Sequence, residues 1–244
     1  KKGLDPKDVY VVSIMPCVAK KFEAARPEHR MADGTPYTDA VLTTRELAWM
    51  IKSYGIDFAA LPDGDFDRPL GISSGAADIF GATGGVMEAA IRTVVELVTG
   101  LKIEDVFAHA DVLPVRGFDG VRYVELPIPA IGEVPDLLKM NKGLPFSDWK
   151  WLEGAVLKVA VCHGTANAKR VVEDIKAGGT FSKCHFIEFM ACPGGCLGGG
   201  GMPIPTSPEI RAARAKAIYA EDSSYEIRKA HENPAVIRLY QEFL

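Results

Sequence analysis

Two cysteines four residues apart, Cys192 and Cys196, lie in Phe189-Met190-Ala191-Cys192-Pro193-Gly194-Gly195-Cys196-Leu197-Gly198-Gly199-Gly200-Gly201-Met202-Pro203. Residues 193–203 hold six glycines and two prolines, a composition that neither a helix nor a strand tolerates, so this backbone is shaped to wrap something. Thiolates among many unobstructed backbone N–H groups suit a metal-sulfide cluster, which needs cysteine ligands and donors to its sulfurs. A mobile glycine-rich lid is the plainer alternative. A third cysteine, Cys17, follows Pro16, and Lys20 and Glu23 recur after it at three-residue steps. That spacing sets a thiolate, an ammonium and a carboxylate on roughly one helical face at the end of a strand. A surface Lys20/Glu23 pair beside a chance cysteine reads the same spacing equally well. Cys162 and Cys184 border apolar runs and read as core or surface thiols.

Other chemistries find little support. The five histidines have no HxxxH or HxH spacing, and the carboxylates form no metalloprotease or EF-hand pattern. The glycine-rich connection Gly71–Gly85 lacks the lysine of a Walker loop. A net charge of −4 makes nucleic acid and anionic membrane poor partners. No apolar run reaches the roughly 18 residues of a membrane span, and Lys1–Pro6 shows no secretory apolar region. The chain therefore reads as cytoplasmic.

Val9–Met15 and Ala40–Leu42 read as strands, and Thr43 with Glu46 forms a capping-box pattern for a helix stopped by Gly55. Gly84-Gly85 opens a long helix with Val86, Ala89, Ala90, Thr93, Val94 and Leu97 on its apolar face. Residues 107–115 and Val121–Leu126, with Asp119-Gly120 as a turn, predict a β excursion. Leu144–Trp151 reads as a seam between lobes. Ala155–Val161, Gly164–Ala177 and Phe186–Phe189 form a β-α-β unit, hence a parallel pair that delivers the chain into the cysteine loop. Pro208–Leu244 reads as amphipathic helices broken near Asn233-Pro234 that wrap the outside.

Met15-Pro16-Cys17-x-x-Lys20-x-x-Glu23 and the Phe189–Gly200 stretch resemble the second and third signature motifs of the FeFe-hydrogenase catalytic (H-cluster) domain. Leu42–Leu47 and Phe80–Ala90 are similar to that family too. The resemblance implies an α/β fold of two lobes of mostly parallel sheet flanked by helices, with the metal cluster in the cleft between them. It divides the chain into lobes over residues 1–143 and 144–206 and wrapping helices over 207–244. It further implies that Cys17, Cys192 and Cys196 ligate a 4Fe-4S cluster, with Cys196 bridging to a diiron subcluster carrying CO, cyanide and a dithiolate bridge. Lys20 would bond a cyanide, Glu23 would pass protons, and Met15, Pro16, Met190 and Phe80 would line the cofactor. The implied function is reversible oxidation of dihydrogen. The implied electron partner is a ferredoxin or nicotinamide-linked subunits. A sensory relative, or a hydrogenase-like iron-sulfur assembly protein without the diiron part, are the alternatives.

Two departures follow from the same resemblance. The family's first motif, Thr-Ser-Cys-Cys-Pro, is expected about fifty residues before Met15, and only fourteen residues precede it. The chain is thus expected to be a fragment lacking the fourth cluster ligand, completed by the remainder of the hydrogenase chain or another subunit. Met202 stands where catalytic members usually carry Gln.

Overall fold

The computed structural model describes residues 3–68, 71–128 and 153–242. Two small sheets carry the fold. In the first, β1 (Val12–Met15) pairs in parallel with β2 (Ala40–Thr43), Met15 opposite Thr43. β1 is three residues shorter than the sequence predicts, because its partner begins only at Ala40. Helix α1 (Ala19–Ala25) follows β1, and α2 (Thr44–Ser53) follows β2 without a gap.

The expected capping box starts α2: the Glu46 N–H donates to Thr43 Oγ1 at 3.2 Å and the Thr43 N–H to Glu46 Oε2 at 2.8 Å. Gly55, at φ +69°, follows the helix as predicted. The Thr43 backbone bond, aided by Lys21, lowers the Glu46 carboxyl from 4.5 to about 2. This contribution to stability is present above the unfolded pKa and is lost as the pH falls toward about 2. Glu46→Gln is therefore expected to shrink the difference in melting temperature between neutral pH and pH 2.5, measured by circular dichroism. Around this sheet many large side chains stay in solvent, Trp49 at 71%, Phe22 at 74% and Tyr54 at 79% exposure among them.

The second sheet is ordered β3-β4-β5, with β3 (Val121–Pro127) antiparallel and β5 (Phe186–Met190) parallel to β4 (Val156–His163). Its β4-to-β5 crossover is α6 (Thr165–Lys176), as the β-α-β reading requires. The predicted excursion over 107–115 is corrected. Those residues make short 3₁₀ turns, and β3 pairs with β4 instead of folding back on them. Pro114 and the left-handed His109 and Ala110 prevent a continuous strand there.

Among the described residues, three more α-helices follow α2 before the second sheet: α3 (Gly75–Asp78), α4 (Gly85–Thr99) and α5 (Ile103–Val106). On α4, Met87, Ile91 and Val95 pack with Val112, Val115, Val159 and Val161 in the main core. The predicted stripe is thus displaced: of its members only Ala89 is buried, while Glu88, Arg92 and Glu96 are buried instead. Period alone misses this, because ion pairs let the charged face of the helix go inside as well.

After the cysteine loop come α7 (Pro208–Ser224) and α8 (Pro234–Glu242). The break at Asn233-Pro234 falls where predicted. Asp222 of α7 is fully buried, so this segment penetrates the body rather than only wrapping it. The expected boundary between residues 143 and 144 and the Leu144–Trp151 seam lie outside the described residues. No helix among those residues is long and apolar enough to cross a membrane.

Candidate metal-cluster site

Two strand ends deliver the cysteines. β1 stops at Met15, Pro16 has no N–H to extend the ladder, and Cys17 begins the turn into α1. β5 stops at Met190, paired with His163 of β4, and the 3₁₀ turn Gly195–Gly198 carries Cys196. Backbone bonds join the two segments. The Gly201 N–H donates to the Pro16 carbonyl at 2.9 Å, and Arg45 binds both the Gly201 carbonyl at 3.0 Å and, through Nη2, the Gly200 carbonyl at 2.9 Å.

The other side of the loop is tied to α4 and β4. The Thr83 N–H donates to the Gly194 carbonyl at 3.1 Å. The Gly194 N–H donates to His163 Nδ1 at 3.2 Å, which makes Nε2–H the donor to the Phe118 carbonyl at 3.1 Å. Behind them, buried Glu188 of β5 accepts the Gly84 and Met87 N–H groups at 2.7 and 2.8 Å, an anion on the N-terminus of α4. Burial pushes the Glu188 carboxyl up, and those two N–H bonds act against it.

Two glycines make this closeness feasible. Gly195 has φ +85°, and a Cβ there would stand 2.7 Å from both Met190 Sδ and the Thr83 nitrogen. At Gly199 a Cβ would meet the Pro16 carbonyl oxygen well inside van der Waals contact. Gly199→Ala is expected to separate the two cysteine segments at a cost of about 1–3 kcal/mol. Thermal unfolding should show it as a drop of roughly 2–12 °C.

Electrostatics places the predicted ligands in one neighbourhood. Burial pushes the Cys196 thiol up, negative charge at Cys17 and Cys192 pushes it further, and Lys20 opposes this. All three cysteines are half-buried. Cys162 lies fully inside the sheet and Cys184 borders it, both raised chiefly by burial and neither sharing charge with the loop. Lys20 Nζ is 2.6 Å from Glu23 Oε2, and this bond lowers the Glu23 carboxyl. Met15 is half-buried at the end of β1, and Phe80 is about half exposed in the turn before α4.

The donor set fits an iron-sulfur cluster better than a single ion. A tetrahedral ion with sulfur at about 2.3 Å draws its ligand sulfurs to roughly 3.8 Å of one another. Among the described residues, the three-ligand group gathered within 4.8 Å is Glu96, His231 and Glu232, not the cysteines. Lys229 and Lys102 already pair with those two carboxylates. Sequence reasoning misses His163, Glu188, Arg45 and Arg214 as supports of the loop, the last donating to the Leu197 and Pro203 carbonyls at 2.9 and 2.8 Å. Glu188 carries a signal, being an acid inside the apolar run Phe186–Phe189.

Residues 1–200 match the family described as iron only hydrogenase large subunit, C-terminal domain, and residues 208–244 match iron hydrogenase small subunit. Subunit HndD of the NADP-reducing hydrogenase of Solidesulfovibrio fructosivorans is 46% identical over 243 residues, 99% of this chain and 36% of that protein. The periplasmic Fe hydrogenase large subunit of Nitratidesulfovibrio vulgaris is 50% identical over 200 residues, 82% and 40% of the respective chains. Protein NAR1 of Arabidopsis thaliana is 32% identical over 260 residues, 99% of this chain and 48% of that one. A solved variant of FeFe-hydrogenase HydA1 from Chlamydomonas reinhardtii superposes with TM-score 0.75 at 39% identity, covering 100% of this chain and 61% of that one. The chain thus spans about two fifths of the first two curated relatives.

Proposed function

The chain belongs to the family of C-terminal domains of iron-only hydrogenase large subunits, and from that premise we propose that it forms most of the cluster-binding catalytic domain of an FeFe-hydrogenase. The observation that carries this is the juxtaposition of the two cysteine segments at the ends of β1 and β5, joined where the Gly201 N–H donates to the Pro16 carbonyl at 2.9 Å. Cys17, Cys192 and Cys196 would hold a 4Fe-4S cluster, and Cys196 would also serve a diiron subcluster with CO, cyanide and a dithiolate bridge. When bound, that group supplies the reversible splitting of dihydrogen into protons and electrons.

The chain's own residues do the rest. Met15, Pro16, Met190 and Phe80 provide the surface facing the cofactor. Lys20 presents a cation to an anionic ligand. While Lys20 bonds Glu23, that carboxylate is held ionised. Glu23 would take up and release protons on the way to solvent. Electrons pass to a ferredoxin or to nicotinamide-linked subunits. The ligand set is completed by the remainder of the hydrogenase chain or by a separate polypeptide, and the cytoplasm is the proposed compartment.

The test uses the complete, matured protein. Infrared bands of CO and cyanide together with hydrogen turnover are expected. Their absence from protein with a full complement of four-iron cluster favours the second reading, an assembly protein without the diiron part, which the 28% identity to cytosolic iron-sulfur assembly component 3 of Rattus norvegicus supports. Glu23→Gln is expected to preserve the infrared bands and slow turnover by about 10²–10⁴-fold; an unchanged rate removes Glu23 from the proton route.

A further inference from the structure

We propose that His163 is a positioning residue of the cluster site: its imidazole holds the Gly194 peptide, midway between Cys192 and Cys196, in one orientation and thereby sets the reduction potential of the cluster bound there. The proposal rests on the reading that these cysteines hold a 4Fe-4S cluster and not on the hydrogen chemistry.

His163 is the last residue of β4 and is buried. Neighbours on both sides fix its backbone. The His163 N–H donates to the Gly120 carbonyl at 3.0 Å, Asn167 Nδ2 donates to the His163 carbonyl at 2.9 Å, and the Gly164 N–H donates to the Met190 carbonyl at 2.8 Å. The strand end thus presents the ring from a rigid base, and the two partners of the ring leave it one tautomer. A carbonyl only accepts, so Nε2 carries the proton toward Phe118; a backbone N–H only donates, so Nδ1 offers its lone pair to Gly194.

Gly194 is held from its other end as well, where its carbonyl accepts the Thr83 N–H at 3.1 Å. Both backbone polar groups of this residue are therefore committed to protein partners outside the loop. A Cβ at Gly194 would stand 3.1 Å from Arg211 Cδ and 3.2 Å from Phe118 Cε1, so the residue lies in a slot between those two side chains. Beyond it, Phe118, His163, Pro193 and Arg211 line a cleft of about 470 Å³.

Donors to sulfur and the access of water both tune the potential of an iron-sulfur cluster. Without the imidazole acceptor, the Gly194 N–H would turn to water in the cleft, and water would gain the cysteine loop. Reduction adds one electron to an already anionic, thiolate-ligated cluster, and water stabilises the more negative state. Loss of the anchor therefore raises the potential.

Two amide side chains separate the two bonds of the ring. The oxygen of an asparagine amide reaches the place of Nδ1, and the nitrogen of a glutamine amide reaches the place of Nε2. His163→Asn keeps the acceptor for Gly194 and gives up the donor to Phe118; His163→Gln does the reverse. The complete polypeptide is reconstituted with the four-iron cluster alone and titrated with dithionite under electron paramagnetic resonance, each cluster taking one electron from the reductant with its thiolates unchanged. His163→Gln is expected to favour reduction about tenfold, a rise of about 59 mV for one electron, and His163→Asn to stay within about threefold of wild type. In the cofactor-free polypeptide, the Gly194 amide is expected to exchange with deuterium about tenfold faster in His163→Gln than in wild type and to remain protected in His163→Asn. An unchanged potential or an unchanged exchange rate in His163→Gln overturns the proposal, as does a His163→Asn variant that behaves like His163→Gln. Should His163→Gln fail to fold by circular dichroism, His163→Ala takes its place; failure of both overturns the proposal, because His163 would then serve the sheet and not the loop. A wild-type polypeptide that takes up no four-iron cluster overturns the cluster reading and the proposal with it, a failure told apart by the exchange measurement, which needs no cluster.

Discussion

Alanine at Cys196 in the complete, matured protein is expected to abolish hydrogen turnover and to remove most of the iron bound at this site, read by metal analysis and electron paramagnetic resonance. The residue has two tasks in the proposed site, as a cluster thiolate and as the bridge to the diiron part, so no neighbour can take over. Cys192 lies on the same loop and Cys17 across it, and each is itself a cluster ligand in that proposal. Cys162 and Cys184 belong to the sheet and its border, with no shared charge with the loop. Circular dichroism of the cofactor-free variant should match that of cofactor-free wild type, since the loop is held through the Pro16, Thr83, Gly194 and Gly201 backbone. Substantial residual turnover in Cys196→Ala would sink the assignment.

Arg92→Met is expected to give the largest loss of stability from one substitution outside the cysteine loop. The guanidinium binds Glu88, Asp222 and the Ala110 and Arg228 carbonyls with no exposure to water. Methionine restores volume but leaves two buried carboxylates with fewer partners. Breaking one side of a buried pair costs about 3–5 kcal/mol, and for a chain of this size that lowers the melting temperature by roughly 6–20 °C. Burial acts to raise the Asp222 carboxyl, but bonds from Arg92 and Arg228 outweigh it and its pKa is lowered. Its stabilisation is therefore present above the ordinary carboxylate range and is lost as the pH falls through the folded pKa. In Arg92→Met the acid side of the stability profile should flatten. A melting temperature within about 2 °C of wild type, read by calorimetry at the same pH, would contradict this account of α4.

Much of the site is legible in the residues alone. The glycine content of residues 193–203 announces a backbone that must approach something closely, and Gly195 and Gly199 do so against Thr83, Met190 and Pro16. The capping box at Thr43 and the β-α-β unit ahead of Cys192 follow short-range rules of hydrogen bonding and handedness, and the fold contains both. Where expectation and structure part, a distant partner decides. Val121–Pro127 finds its ladder in β4, some thirty residues later, rather than in the preceding apolar stretch. The inward face of α4 differs from its apolar stripe because three of its charged residues have partners far along the chain.

The close backbone of the cysteine loop and the Lys20–Glu23 pair were determined by the sequence itself, because glycine conformational freedom and three-residue spacing on a helix act over a few residues, whereas Cys17 precedes α1 and stands outside that spacing. Tertiary structure alone decided how these pieces are held. Glu188 meets the N-terminus of α4 across 104 residues, and Arg92 meets Asp222 across 130. No local propensity encodes such pairings. They exist because a buried charge is stable only beside its counter-charge or donors, and only the folded chain brings those together.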